Sequence, residues 1–281
     1  MWRLRPGMRM LGLRHSKKET RVPHQSVLIT GGAAGIGRAT AARFIADGWQ
    51  VGAIDRDQTQ LDALRNEFGD GNVWTHCADV CDPEAVDAAI EAFMGVTGGR
   101  LDVVVNNAGQ VAAGPFEAGD IARYRAVVDV NVTGVVTVAR AAFPYLAATS
   151  GARLINMSSA SAAYGTPGYA VYSATKHAVS AFTEALDAEW HRHGIRVRAV
   201  WPLFVQTAMV TEIGPQRTID RMGVRLRPDD VAGAIARASG APHWWPQLHW
   251  TVGWQGFFFV NLTRFCPTWI NRLAMRWIAG Y

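Results

Sequence analysis

The chain has 281 residues, 49% of them hydrophobic, enough to bury the core of one α/β domain. Its formal charge of +5 is unevenly placed: residues 1–24 carry seven basic side chains against Glu19, residues 231–281 carry four arginines and no acid, and setting those +6 and +4 ends aside leaves about −5 between them. A central region of that sign has no nucleic-acid footprint, and the three cysteines, Cys77, Cys81 and Cys266, form no CxxC pair or disulfide framework, which fits structural thiols in a reducing, cytoplasmic compartment.

Residues 1–25 are Arg-rich, lack an apolar run long enough for a secretory signal and show no helical period, so a disordered arm is expected there. A transit-like or membrane-touching arm, or a start placed upstream of the true one with Met8 or Met10 available, fits the same composition. Residues 26–30 then read as a short buried strand. It runs into Gly31, Gly32, Ala33, Ala34, Gly35, Ile36 and Gly37, and a helical run follows over 38–47. Glycines at such a turn let the backbone bend sharply, let a phosphate approach main-chain N–H groups, and let helix pack on strand. A second strand over 50–54 ends at Asp55, where a carboxylate can hold ribose hydroxyls, so the stretch predicts a dinucleotide site. That carboxylate would repel a 2′-phosphate, and Ala34 adds no cation, so NAD is preferred; Arg56 next to it keeps NADP possible.

Strand, helix and turn alternate from there. Strands are expected over 73–77, followed by Asp79 and Val80, and over 101–105, followed by Asn106, Asn107, Ala108 and Gly109. Asp82 and Pro83 have the chemistry of an N-cap and a first helical position for the helix between them. Further strands are expected over 153–157, 195–200 and 248–252. This pattern predicts a three-layer, doubly wound parallel sheet of Rossmann type.

Between the fifth and sixth strands lies Tyr172, four residues before Lys176, so a helix would bring phenol and ammonium to one face. The chain holds 28 lysines and arginines, and its only lysines are Lys17, Lys18 and Lys176. A sequence that writes nearly every other cation as Arg keeps a compact ammonium beside a phenol, which predicts an acid/base pair whose phenol is made easier to ionise by its neighbour. Taken alone, the spacing is more often that of an ordinary amphipathic helix.

With these motifs assembled, residues 26–253 resemble the short-chain dehydrogenase/reductase family. The glycine motif spans Thr30 to Gly37, the adenine-contacting acid matches Asp79, the NNAG turn matches Asn106 to Gly109, the Asn matches Asn131, the Ser matches Ser159 rather than Ser158, and YxxxK matches Tyr172 and Lys176. The resemblance implies hydride transfer between a CH–OH group and NAD or NADP. In it Tyr172 carries the proton, Ser159 bonds the substrate oxygen, Lys176 holds the ribose hydroxyls and lowers the Tyr172 pKa, and Asn131 anchors a water. It also implies cofactor contacts from Pro202, Val205 and Thr207, and a homodimer or homotetramer. The chain departs from the family at Leu203, which stands where a glycine is usual.

Residues 203–227 are expected to form a lid, with Leu203, Phe204 and Met209 among the apolar side chains facing an apolar alcohol or carbonyl. Arg227, Pro228, Asp229 and Asp230 should start the next helix. Residues 254–281 form an extension of two amphipathic helices broken at Pro267, with Trp254, Trp269 and Trp277, Trp250 just before them, and only Arg264, Arg272 and Arg276 as charges. Three readings fit it: packing on its own domain or a sister subunit, peripheral membrane contact, and a cover over a substrate channel. No uninterrupted apolar run reaches the length of a bilayer span. Two other activities fit the pattern: a 3-oxoacyl-carrier reductase, and a dinucleotide-sensing binding protein without turnover.

Overall fold

A computed structural model of the chain describes residues 25–280; the arm expected over 1–25 therefore lies, but for Gln25, outside the described residues. The strands are β1 (Ser26–Thr30), β2 (Gln50–Asp55), β3 (Val73–Cys77), β4 (Val103–Asn106), β5 (Arg153–Met157), β6 (Arg196–Trp201) and β7 (His249–Thr251). In chain order the helices are α1 (Gly35–Ala46), α2 (Gln58–Phe68), α3 (Pro83–Thr97), α4 (Ile121–Val128), α5 (Val135–Ala148), α6 (Ala170–Trp190), α7 (Ala208–Glu212), α8 (Arg217–Met222), α9 (Pro228–Gly240), α10 (Gly253–Phe265) and α11 (Thr268–Ala279).

All seven strands pair in parallel, in the order β3-β2-β1-β4-β5-β6-β7. Period-2 alternation divides each strand between two covered faces. Val27, Ile29, Val51, Ala53, Val103 and Val105 pack with Phe44 of α1, Leu61 and Leu64 of α2 and Ile235 of α9. Leu28, Ile54, Val104 and Leu154 face Ile90 and Phe93 of α3, Val138 and Leu146 of α5 and Leu186 of α6. The result is the three-layer doubly wound α/β sheet that the alternation predicts. Its strand order reverses between β1 and β4, and at such a switch point a crevice opens at the carboxyl ends of the strands.

Several boundaries shift for local reasons. β4 starts two residues after the expected 101 because Leu101 N–H donates to Thr149 Oγ1 at 3.1 Å instead of to a strand. β6 starts at Arg196 because Ile195 N–H still closes the turn onto Trp190 O. β7 keeps only His249–Thr251 of the expected 248–252. The cap of α3 is as expected, with Asp82 accepting from Glu84 and Ala85 N–H and Pro83 at the first turn, and Asp230 reaches back to Arg227 N–H at the start of α9.

α4 and α5 are one helix, Ile121–Ala148, interrupted by a single π turn over Asp129–Gly134. By length and composition alone it is long enough to cross a bilayer, although Arg123, Arg125, Asp129 and Arg140 interrupt it and no uninterrupted apolar run reaches that length. Val130, Val138, Ala139, Ala142 and Leu146 spend that apolarity on the sheet.

Candidate active site

The carboxyl ends of β1, β2, β4 and β5 open on a cleft of about 330 Å³. Its floor is the glycine turn. Gly31 sits at φ +60°, and a Cβ there would stand 2.9 Å from Ala108 Cα; a Cβ at Gly37 would stand 1.9 Å from Gly31 O. Gly37 thus serves the close packing of α1 on the turn and does not line the cleft, whereas Gly31, Ala34, Gly35 and Ile36 do. Asn107 fastens this turn to β4: its Nδ2 donates to Thr30 O at 3.1 Å and Gly31 O at 2.9 Å, while Asn107 and Ala108 N–H groups both reach Thr30 Oγ1.

Ala34, the residue preceding α1, brings no side-chain cap. The first-turn N–H groups of α1 therefore end uncapped at the cleft, where they fit an anion such as a pyrophosphate. Asp55 lines the same cleft, its Oδ2 accepting from Ala33 N–H at 3.1 Å and its Oδ1 from Asp57 N–H at 3.2 Å. Each oxygen keeps a lone pair for a hydroxyl. Arg56 is exposed beside it and has no ion pair among the described residues. Asp79 Oδ1 accepts from Cys81 N–H at 2.9 Å, and Asp79, Val80 and Gly109 complete this wall.

Tyr172 and Lys176 both face the cleft from the first turns of α6, with the Lys176 Nζ 5.6 Å from the Tyr172 ring centroid. Lys176 is 5% exposed and donates to Met157 O at 2.9 Å, leaving two of its three N–H vectors without a protein acceptor among the described residues. Burial brings its ammonium down to about 8. Ser159 is the serine beside the Tyr172 phenol, its Oγ accepting from Ser161 N–H at 3.2 Å and donating to Pro202 O at 3.4 Å, whereas Ser158 Oγ is occupied by Lys176 O and Ser180 Oγ, each at 2.9 Å. Of the two adjacent serines, only Ser159 addresses the phenol.

One expectation needs correction here. Burial pushes the Tyr172 phenol above its ordinary value, opposed by the neighbouring Ser159 hydroxyl. The drop expected from Lys176 does not set the direction, because a site dry enough to lower an ammonium also penalises a phenolate. Asn131 lies behind the cleft lining. It is fully buried in the π turn, where its Oδ1 accepts from Gln110 N–H at 2.8 Å and its Nδ2 donates to Gln110 O at 2.9 Å and Thr175 Oγ1 at 3.1 Å. Both amide hydrogens are committed to protein, so Asn131 clamps the chain beyond Gly109 to α6.

Pro202, Leu203, Phe204, Val205, Thr207 and Met209 line the opposite wall with Val210, Ile213 and Met222. The lid that carries them is tied at its base where Val205 bridges Leu226 and Gln206 N–H donates to Leu226 O at 2.8 Å. Pro202 O also accepts from Ala160 N–H, holding this wall against the Ser159 turn. Sequence reading missed Val111, Thr166, Tyr169 and Phe259 in the lining. Tyr169 had a signal: it stands three residues before Tyr172, one turn away on the same face. It is 3% exposed, and burial pushes its phenol up to about 12. Phe259 had none, since its place depends on how α10 folds back.

The short chain dehydrogenase family profile matches residues 25–218. An uncharacterised oxidoreductase of Staphylococcus aureus is 32% identical over 215 residues, covering 76% of this chain and 90% of that protein. Among solved structures, the 3-ketoacyl-(acyl-carrier-protein) reductase of Brucella melitensis complexed with NADH superposes with a TM-score of 0.73 and 31% identity, over 81% of this chain and 96% of its own. ElxO with NADP bound superposes with a TM-score of 0.74 and 26% identity, over 82% of this chain and 97% of its own.

Proposed function

This chain belongs to the short-chain dehydrogenase/reductase family and is an NAD(P)-dependent oxidoreductase, and from that premise we propose that it interconverts an apolar alcohol with its ketone or aldehyde, using Tyr172 as acid/base and preferring NAD. The observation that carries this reading is the grouping of Ser159, Tyr172 and Lys176 in one cleft with the uncapped start of α1 and the Asp55 carboxylate. When bound, the dinucleotide supplies the hydride acceptor or donor.

The chain's own task is then to manage one proton on the substrate oxygen. Ser159 and Tyr172, neighbours in the cleft lining, form the pair that receives that oxygen. The raised phenol is protonated at neutral pH and suited to donate toward a carbonyl. In the oxidising direction Tyr172 must give up its proton, and the ammonium of Lys176 over its ring offsets part of the cost of the phenolate. The two unused Lys176 N–H vectors serve the ribose hydroxyls. Asn131 acts by position: it holds the Gln110 backbone and so the Gly109 end of the cleft.

Support for NAD comes from Asp55, whose charge would face a 2′-phosphate, with Arg56 leaving some tolerance for NADP. Support for an apolar substrate comes from the wall made by Leu203, Phe204, Met209, Val210, Ile213 and Met222, which offers no charge to a ligand. A second reading, reduction of a carrier-bound 3-oxoacyl group, is favoured by the resemblance to the Brucella reductase, which is complexed with NADH.

The test is a panel of apolar alcohols with NAD and NADP, followed by nicotinamide absorbance, for the parent and Tyr172→Phe. The phenylalanine variant should lose about 10²- to 10⁴-fold in kcat while its dinucleotide Kd stays close to the parent value. Turnover at the parent rate would remove Tyr172 from the chemistry.

A further inference from the structure

α10 and α11 lie beyond the residues 25–218 matched by the family. They touch the rest of the fold along narrow seams: Gly256 and Val260 are buried on α10, Asn271 and Met275 on α11. Asn271 Nδ2 donates to Thr263 O at 2.7 Å and locks the two helices together. Their opposite faces are bare. Trp254, Phe258, Leu262 and Phe265 share one face of α10 at helical spacing, and Trp269, Leu273 and Trp277 share one face of α11; all are more than half exposed, Phe265 at 85%. Packing on the chain's own domain therefore accounts for only one side of each helix. Trp250 does not belong to this surface, since its Nε1 donates to Gln247 O and Arg198 lies 5.9 Å from its ring.

Six exposed aromatics, Trp254, Phe257, Phe258, Phe265, Trp269 and Trp277, present roughly 700 Å² of apolar surface, above the few hundred Å² that a soluble monomer ordinarily leaves open. The charges on the two helices themselves have one sign. Arg264 follows the α10 stripe, Arg272 and Arg276 border the α11 stripe, and no acidic residue occurs after Asp230. Two further guanidiniums stack on the edge tryptophans, Arg221 at 4.8 Å from the Trp277 ring and Arg225 at 5.8 Å from that of Trp254. The acids nearest in sequence are Glu212 and Asp220 on the lid and Asp229 and Asp230 at the start of α9.

We propose that the exposed faces of α10 and α11 form a docking surface for an anionic lipid bilayer. Trp and Phe on an apolar face, bordered by arginine, is the composition that settles at the boundary between headgroups and acyl chains. A second copy of the chain fits less well. A two-fold contact would set Arg264, Arg272 and Arg276 of each copy against their equals, with no acid from either extension to offset them. Phe259, on the inner side of α10, lines the cleft, so the docked surface and the cleft wall are two sides of one helix. The surface is argued independently of the reaction, and its test needs no turnover.

The test is flotation of the full-length protein with vesicles of phosphatidylcholine alone and of phosphatidylcholine mixed with phosphatidylserine. Two variants accompany it: Phe258→Ser with Leu262→Ser, Phe265→Ser and Leu273→Ser, and Arg264→Gln with Arg272→Gln and Arg276→Gln. The parent should float with the mixed vesicles and far less with the neutral ones. The serine variant should stay at the bottom while its circular dichroism and dinucleotide Kd match the parent, and the glutamine variant should partition about a hundredfold more weakly into mixed vesicles. Failure of the parent to float, equal flotation on both vesicle types, or flotation unaltered by either variant would overturn the assignment. So would a parent dimer in light scattering that the serine variant converts to monomer, because a second copy would then be what covers the surface.

Discussion

Replacing Lys176 by Met gives the most direct measure of what the active-site burial costs. In the folded chain the ammonium loses its proton near pH 8, against an ordinary 10.5, with burial as the cause. Between those values the unfolded chain holds a proton that the folded chain does not, so stability rises with pH, by at most about 1.4 kcal/mol per unit. Below pH 8 both states are charged and the folded one bears the full penalty, about 3 kcal/mol relative to strongly alkaline solution. Above pH 10 the raised phenols of Tyr172 and Tyr169 act in the opposite sense, because the unfolded chain then loses protons that the folded chain keeps. Cys81, pushed up to about 11 by burial, does the same from pH 9. These groups remain in the variant, so subtracting its curve from the parent's isolates Lys176. Urea unfolding of both proteins without dinucleotide, at pH 7, 8, 9 and 10 and constant ionic strength, should give flat differences below pH 8. The parent should then gain about 2–3 kcal/mol on the variant by pH 10. At pH 7 the variant should be the more stable of the two, by less than the full penalty because Met157 O loses its donor. Parallel curves throughout would mean that the ammonium is hydrated, and the account of the site as a dry one would fail.

Three other outcomes follow from the same geometry. Asp55→Asn keeps an acceptor for Ala33 N–H but removes the charge, and should weaken NAD binding about 10- to 100-fold while leaving NADP unchanged or tighter; fluorescence titration with both dinucleotides checks this, and an unchanged NAD Kd would exclude Asp55 from the ribose site. Asn131→Ala strands the Gln110 N–H and C=O and leaves the Thr175 hydroxyl only its bond to Tyr172 O, and should cost about 2–3 kcal/mol in chemical unfolding, near 1 kcal/mol for each bond lost; a change confined to the pH dependence of turnover would favour the water-anchoring role instead. Arg198→Lys should destabilise the fold by more than 1 kcal/mol, because the guanidinium donates at once to Ala238, Ala241 and Pro242 carbonyls and an ammonium cannot span all three.

Much of the fold could be read along the chain because the signals are local. A buried strand, a glycine turn, an Asp-Pro helix start and an acid closing the second strand each depend on a few neighbouring residues, and β1, α1, β2 and the cap of α3 sit where those signals put them. The same holds for the shared face of Tyr172 and Lys176, which follows from helical spacing. What spacing does not contain is the medium around those side chains. Whether a cation four residues away lowers a phenol's pKa, or is itself depressed beside it, depends on how much water β5, the Ser159 turn and the lid leave in the cleft, and those segments are distant in sequence. Asn131 was recognisable as a site residue but not as a clamp, since Gln110 and Thr175 approach it only through the π turn and the packing of α6. Spacing alone gives Arg198 a place on β6 and nothing about its surroundings. That residue is fully buried because α9 ends above it with carbonyls that need donors, and burial brings it down to about 10. In each case a polar side chain stays inside because backbone groups from a remote segment meet it there, a pairing that exists only once the sheet has closed.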